Sequence, residues 1–577
     1  MASLSSTTRR LRFALVVLLL GTSLAAVPAA TVSAAPPIVV NTTMDALHGS
    51  NGSGCVTAGG ACSLRDAVLY ANAHANTTIS VPPGVYKLTI PPSGGDLGTT
   101  GDLNLLADMT INGAGAGATT IDGSVIADGI FHVSFATVTL TGLTLANGLQ
   151  SSASAFGGGA LNISHDSQVT ISDCVLSNNK IVGVAGAVGA PGGFALGGAI
   201  YTDGVLIAIR DTFTANTAQG GAGGDGNNAG GDGFGGAIEA SAQANIVLIQ
   251  DSTFAGNLAK GGPGGSGSAS IGGTGGVGKG GAIVKVNSQI SVTGSTFVGN
   301  SASGGAGGTG SGEFAIQGDA GGTGGGASGG ALAGDAYSVG NTTFVSNTAT
   351  GGNGGNGGIG TTMGNGGGGG SSYGGAISFE AIGNDVTNAT IDGNSALSGV
   401  GGIGGGSTHG APGSSNYGGI SSNGMAYLTN TIVSNNIAGF SGNCSFGVVN
   451  RGHNLQFNPN SGCGDTPFAV GDPKLTPLGN YGGPTKTRGI GPGSAALDAG
   501  DDTTCGSSPV AGVDQRGIRR PQGAHCDIGA YEYAIVTTPP PSRPGPVMSG
   551  SPNAVPTARP GTGGGSGIPN PIPMPRQ

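Results

Sequence analysis

A box of two glycines followed by Ala or Ile recurs along the chain, beginning at Gly158, Gly197, Gly235, Gly280, Gly329, Gly374 and Gly418, at intervals of 39, 38, 45, 49, 45 and 44 residues. Downstream of each box an apolar residue is followed three positions later by Asn. The pairs read Val175 to Asn178, Phe213 to Asn216, Phe254 to Asn257, Phe297 to Asn300, Phe344 to Asn347, Ile391 to Asn394 and Ile432 to Asn435. The distance from box to Asn is nearly constant, so the length variation lies in Gly-rich stretches such as Gly220 to Gly236 and Gly351 to Gly370. A unit of constant wall and variable loop is the signature of a solenoid.

Composition narrows the solenoid further. Of 577 residues 124 are Gly, charged residues make up 8%, aromatics 5%, and Trp is absent. Material this small cannot fill one large core, and the whole chain lacks the strict every-third-residue glycine of collagen. Short alternations of β-branched residues, such as Ile290-Ser291-Val292 and Val169-Thr170-Ile171, read as strands with one face in and one out. Leucine-rich repeats would need regularly spaced leucines, and propeller blades four longer strands. The expectation is an all-β fold: a right-handed parallel β-helix of about nine or ten coils with three short strands each. The recurrent Phe would stack inside the tube, and the recurrent Asn would line a turn, bonding backbone and tolerating left-handed φ. The Gly-rich segments read as flexible surface loops.

Arg9, Arg10 and Arg12 precede an apolar run from Phe13 to Leu20, and Val32-Ser33-Ala34 supplies small residues at a cleavage site, so residues 1–34 read as a secretory signal peptide. No later stretch is apolar enough to span a bilayer. Removing those three Arg from 20 basic residues against 29 acidic ones leaves a net charge of −12. Between Lys285 and Arg451 there is no Lys or Arg at all. Such a surface argues against nucleic acid as a partner and leaves a cell-surface glycan or protein. Export fits disulfides, and three pairs close in sequence are candidates: Cys55 with Cys62, Cys444 with Cys463, and Cys505 with Cys526. Cys174 is left over and reads as a small core residue. No cofactor is implied. Gly220-Gly221-Ala222-Gly223-Gly224-Asp225 is like half of a calcium-binding nonapeptide, but the other insertions lack the Asp that calcium would need.

Both ends carry specific motifs. Cys62-Ser63-Leu64-Arg65-Asp66-Ala67-Val68, with Tyr70-Ala71-Asn72-Ala73 and Val81-Pro82-Pro83-Gly84-Val85-Tyr86, resembles the CSLREA domain of secreted bacterial β-helix proteins, with Asp66 in place of the usual Glu. Physically, Ser63 and Asp66 form a capping box for a short helix whose Leu64, Val68 and Ala71 share one face, suited to closing the end of the tube. Residues 35–90 are assigned to this cap and 91–446 to the repeats. Leu478-Gly479-Asn480-Tyr481-Gly482-Gly483-Pro484, Leu497-Asp498-Ala499-Gly500, Asp514-Gln515-Arg516-Gly517 and Cys526-Asp527-Ile528-Gly529-Ala530-Tyr531-Glu532 resemble the choice-of-anchor Q domain of bacterial surface proteins, over 447–533. The resemblance implies a protein at or near the cell surface. Residues 534–577 are a Pro/Gly-rich tail expected to be disordered or polyproline-like.

Parallel β-helices also include polysaccharide lyases and hydrolases. A lyase needs a base and cations, and the repeats hold only Lys180, Arg210, Lys260, Lys279 and Lys285, scattered over different coils. A hydrolase needs two carboxyls on one face, and aligning the boxes brings Asp335 and Glu380 into one register on neighbouring coils. Asp203 shares that register several coils away. One such pair among small neutral residues reads as solvated acids, so the expectation is a secreted or surface scaffold, adhesive or structural, without catalysis. The alternative is a polysaccharide-cleaving enzyme with Asp335 and Glu380 as its carboxyls.

Overall fold

The computed structural model describes residues 36–534 apart from 58, 94–97, 153–156, 242, 245, 268–270, 287–288, 313–317, 336, 406–407 and 459–462. The expected signal peptide and tail lie outside the described residues. Five parallel sheets build a right-handed β-helix. One coil shows the path: Ile238–Ala240, Val247–Gln250, Thr253–Ala255, Leu258–Lys260, then a Gly-rich excursion, Gly278–Lys279 and the next coil at Ile283. We name the sheets to which these strands belong C, A, B, D and E in that order. A and B have 12 strands each, C has 9, D 7 and E 6. The tube is therefore longer than the boxes indicate, because Ile38–Val39 and Thr77–Val81 at one end and Val448–Asn450 at the other join sheet A.

Sheets C, A and B enclose the core. Ile200, Ile238, Ile283, Leu332, Ile377 and Ile420 pair in direct register along C, and Ile171, Ala208, Ile249, Val292, Val339, Val386 and Leu428 along A. On B, Phe213, Phe254, Phe297 and Phe344 stack with ring centroids 4.5, 4.7 and 4.9 Å apart. All are fully buried. Each coil thus places its inward residue on another apolar residue one strand spacing away.

An Asn ladder follows the Phe stack. Asn179, Asn216, Asn257, Asn300, Asn347, Asn394 and Asn436 are buried, and each backbone N–H donates to the next Asn's Oδ1, ending on Asn443. Each Nδ2 donates to the next Oδ1 and to a sheet B carbonyl behind it, as Asn300 does to Asn347 and Phe254. The ladder corrects the sequence register in two coils: Leu176 and Asn179, not Val175 and Asn178, align with Phe213 and Asn216, and Val433 and Asn436 replace Ile432 and Asn435. Asn178 and Asn435 take the left-handed corner one step earlier, where other coils use Ala215, Gly256, Gly299, Ser346 and Gly393. Bonding the backbone and adopting positive φ are therefore separate residues' tasks.

The Gly-Gly-Ala box has an equally physical reading. Its first glycine has left-handed φ at Gly197, Gly235, Gly280, Gly329 and Gly374. A Cβ on the second would lie 2.0–2.1 Å from the carbonyl oxygen of the equivalent box one coil on, at Gly198, Gly236, Gly281 and Gly330. The Ala points into the core.

The Gly-rich segments are not flexible loops. Each has an outgoing extended limb that leaves sheet D and a returning one that enters sheet E. Gly262 N–H donates to Gly231, Gly276 to Gly262, Gly305 to Gly276, Gly325 to Gly305 and Gly352 to Gly325, each at 2.8 Å. The pattern repeats three residues out, where Gly273 donates to Gly265, Gly308 to Gly273, Gly322 to Gly308 and Gly355 to Gly322. Outgoing limbs also bond outgoing limbs, as Gly264 does Ala306 and Gly307 does Asn353, and returning limbs bond returning ones, as Gly275 does Thr323. Sideways bonding at a period of three, with none inside a limb, is the behaviour of a polyproline II-type helix. The limbs form a two-layer slab beside the tube, with glycine inside and Pro263, Ala306, Asn353, Thr309 and Asn356 among the exposed residues of its outgoing face.

The motif-bearing segments lie at the N-terminal end of the tube and along its sheet B wall. The helix Leu64–Ala73 has the Ser63/Asp66 capping box and buries Leu64, Ala67, Val68 and Ala71. Arg65 beside them is buried against Asp45, Nε to Oδ1 2.7 Å. After the last coils, residues 471–533 fold back along sheet B, from Asn430 to Gly294. Gln515 Nε2 donates to Ser295 O and Thr485 Oγ1, and Thr485 Oγ1 donates to Gly294 O. Buried Arg520 pairs with Glu532 at 3.0 Å. The three expected cysteine pairs are bonded, Cys55–Cys62, Cys444–Cys463 and Cys505–Cys526, and Cys174 is free and buried.

Candidate functional site

Sheet C and the residues that follow its strands hold the carboxyls that the box register aligns. Asp335 and Glu380 follow Leu332–Gly334 and Ile377–Phe379, which pair directly. Their surroundings engage them differently. Glu380 Oε1 is 2.6 Å from Lys279 Nζ, which reaches it from two coils earlier. Asp335 presents its backbone carbonyl, which accepts a hydrogen bond from Lys285 Nζ. Burial in the wall lowers Lys285 to about 8. The sequence-level pair is thus one carboxylate neutralised by a lysine and one residue used through its main chain.

A tighter group lies earlier on the same sheet. Tyr201 and Glu239 are cross-strand neighbours, and Asp203 and Ser241 follow their strands. Tyr201 Oη donates to Asp203 Oδ1 at 3.1 Å, and Ser241 also bonds that oxygen. Glu239 is 3% exposed, its Oε2 has no hydrogen-bond partner, and burial, with the nearby Asp203 charge second, raises its carboxyl to about 8. Tyr201 is raised as well, first by burial and then by the charges of Glu239 and Asp203. The phenol bonds the Asp203 carboxyl, and Tyr201 pairs with Glu239 across the strands. Burial thus favours the protonated form of Glu239 near neutral pH, a proton donor one coil from an Asp203 that two hydroxyls bond. Sequence reasoning aligned Asp203 but passed over Glu239, whose signal was a lone acid in a column that also holds Asn104, His132, Asn162, Tyr201, Val284, Ala333, Ser378 and Ser421.

No metal-binding group of three or more His, Cys, Asp or Glu side chains is present among the described residues. Asp225, the acid of the calcium-like stretch, has its backbone carbonyl in the slab, where it accepts from Gly189 N–H. No helix among the described residues is long and apolar enough to cross a membrane.

No protein-family profile matches the chain, and no curated protein matches it in sequence. Solved structures resemble it in shape. Geobacillus virus E2 ORF18 is 10% identical, covering 82% of this chain and 62% of its own, with a TM-score of 0.27. Pectate lyase Pel9A is 12% identical, covering 86% and 95%, TM-score 0.30. The PL6 family alginate lyase AlyGC is 10% identical, covering 77% and 58%, TM-score 0.27. The chain spans less than two thirds of the first and the last of these. Likeness this distant says nothing of chemistry, and the parallel β-helix rests on the sheets described above.

Proposed function

We propose that this chain is an exported β-helical scaffold, secreted or held at the cell surface, that binds a glycan or protein along its walls and slab without turning over a substrate. The observation that carries this reading is the slab. The longest insertions, which in an enzyme could fold over a cleft and supply catalytic groups, are here bonded to each other limb by limb and present mostly uncharged side chains. Three disulfides and the low charge fit an extracellular setting. The capping helix and the fold-back of 471–533 fit the CSLREA and choice-of-anchor resemblances, and the 1–34 segment fits export. N-terminal sequencing of secreted protein should then begin near Ala35, and a mature chain beginning at Met1 would sink the export proposal.

The function is tested by incubating the protein with uronate and neutral polysaccharides and measuring both co-sedimentation and release of reducing or unsaturated ends. Binding without release supports the scaffold. A second reading is favoured by one observation, the raised Glu239 beside Asp203: a glycan-cleaving enzyme with Glu239 as proton donor. Product release that is lost in Asp203→Asn/Glu239→Gln would establish it. Loss in Asp335→Asn/Glu380→Gln instead would move the site three coils along.

A further inference from the structure

We propose that the wall around His132 and Asn162, in the early coils of sheet C, seats a neutral sugar chain; this rests on the glycan-binding reading and gives it a site. His132 and Asn162 pair directly across the adjacent strands Phe131–Val133 and Leu161–Ile163. Each lies between two fully buried core residues, so its side chain leaves the tube. His132 Nε2 and Ser164 Oγ are hydrogen-bonded at 2.9 Å. The imidazole Nδ1, the Asn162 amide and the Ser134 hydroxyl have no hydrogen-bond partner among the described residues, and all four side chains belong to half-buried residues. Burial holds His132 below the ordinary imidazole value, against the pull of Asp128, so at neutral pH the ring is uncharged and offers one donor and one acceptor. Beyond Asn162 the same column passes to Tyr201 and Glu239, both buried, and the accessible group ends there.

The corner after His132 supplies an aromatic platform. Phe135 is 77% exposed and has a φ of 54°. Left-handed φ is uncommon for a bulky residue, and the other described residues that adopt it without being glycine are mostly Asn and Asp. Strain of this kind gathers at ligand clamps, and here it holds a phenyl ring in water next to Ser134. On the following coil His165 has the equivalent place, two residues after Ile163 as Phe135 is two after Val133, and it too is exposed. A sugar ring complements this arrangement, because it has a face of C–H groups for an aromatic ring and a rim of hydroxyls that both donate and accept. Coils stand about 4.8 Å apart, close to the length of one such ring, so a chain laid along the tube sets successive sugars over successive coils. Charge decides between sugars. The stretches 103–108, 131–136 and 161–167 contain no Lys or Arg. Carboxylates flank the group instead: Asp108 accepts from Thr137 N–H, Asp128 acts on His132, and Asp166 pairs with His165. Like charge at these three places disfavours a uronate and leaves a neutral glycan.

The test is calorimetric titration of the full chain with cellohexaose and mannohexaose, and with hexagalacturonate as the charged comparison. Saturable binding of a neutral hexasaccharide that Phe135→Ala and Asn162→Ala each weaken by about tenfold, with the thermal melt unchanged and hexagalacturonate weaker, is the expected result. Phe440 is an exposed ring on the last coil, and Phe440→Ala should bind as wild type does. Binding untouched by Phe135→Ala and Asn162→Ala, or weakened as much by Phe440→Ala, overturns this site and leaves the scaffold reading standing with its glycan elsewhere. Equal affinity for hexagalacturonate overturns the choice of a neutral sugar. No binding of either neutral hexasaccharide up to millimolar concentration overturns the proposal. If the polysaccharides of the co-sedimentation test are then bound, the glycan reading survives without this site, and if they are not, both fall. Should Asn162→Ala fail to fold, Phe135→Ala decides alone, since its ring lies outside the core.

Discussion

Gly322 lies so close beneath the carbonyl of Gly273 that a Cβ on Gly322 would sit 1.9 Å from the oxygen, while its own N–H donates to Gly308 at 2.8 Å. Glycine is required there by packing, since any side chain would force two limbs apart. Gly322→Ala should therefore destabilise the protein by about 1–3 kcal/mol or more, the range of overpacked cores. Thr323→Ala, one residue on and exposed, should be near neutral. Chemical denaturation of the two variants checks the contrast. Equal, negligible effects would mean that the limbs are loose.

The same geometry bears on deletion. If the Gly-rich segments were loops, removing Gly351 to Gly370 would change only a closure entropy that varies slowly with length. In the slab these residues bond limbs on both sides, with Gly352 donating to Gly325 and Gly399 donating to Gly370. The deletion should lower the melting temperature and raise amide exchange in the flanking limbs. Unchanged exchange at Gly325 and Gly399 would refute a cooperative slab.

Phe297 lies between Phe254 and Phe344, buried at 4.7 and 4.9 Å centroid spacing. Phe297→Ala should cost about 3–5 kcal/mol. The adjacent ladder predicts a comparable sensitivity. Asn300→Ala deletes side-chain bonds to Asn257, Phe254 and Asn347 and strands buried groups, each worth about 1–3 kcal/mol. Urea melts of both variants measure this, and a ladder variant as stable as wild type would show that water replaces the Asn.

These two columns show which parts of the fold are legible in sequence. Phe213 to Phe344 announce themselves because one bulky residue recurs among small ones at a fixed distance from the box. Asn178-Asn179 and Asn435-Asn436 do not, since spacing cannot say which Asn of a doublet turns the corner and which enters the ladder. The slab is hidden for another reason. Its period of three holds only within a limb, such as Gly352, Gly355 and Gly358, and is broken at every turn, so a search over the whole chain finds no collagen-like repeat and the segment passes for a linker. Glu239 is hidden because its importance comes from burial, which an acid in an outward strand position does not advertise.

Cys174 offers a simple chemical check. Burial, with the nearby Asp211 charge second, pushes its thiol up to about 12. A thiol so protonated and buried is a poor nucleophile. Iodoacetamide should leave the native protein unlabelled and modify one cysteine after denaturation without reductant. Labelling in the native state would show either an open coil at Cys174 or an unformed disulfide.

Glu239 gives the pH dependence. Its carboxyl titrates near 4.5 when unfolded and near 8 when folded, so below pH 4.5 both states are protonated and the group adds no penalty. As pH rises from there, the unfolded state releases its proton first, and stability falls until the folded carboxyl ionises near pH 8. Glu239→Gln, neutral in both states, removes that slope. Relative to wild type it should gain stability progressively across pH 4.5 to 8, by roughly 3 kcal/mol near neutrality at 1.36 kcal/mol per unit, and lose the advantage at pH 4. Asp211 and Asp527, raised chiefly by burial to about 7 and about 6, titrate in the same window. The quantity to follow is therefore the difference between variant and wild-type melts at each pH, in which their contributions cancel. A difference that stays flat from pH 4 to 8 would mean that Glu239 is ionised in the folded protein, and the proton-donor reading of the Tyr201, Asp203 and Glu239 group would fall with it.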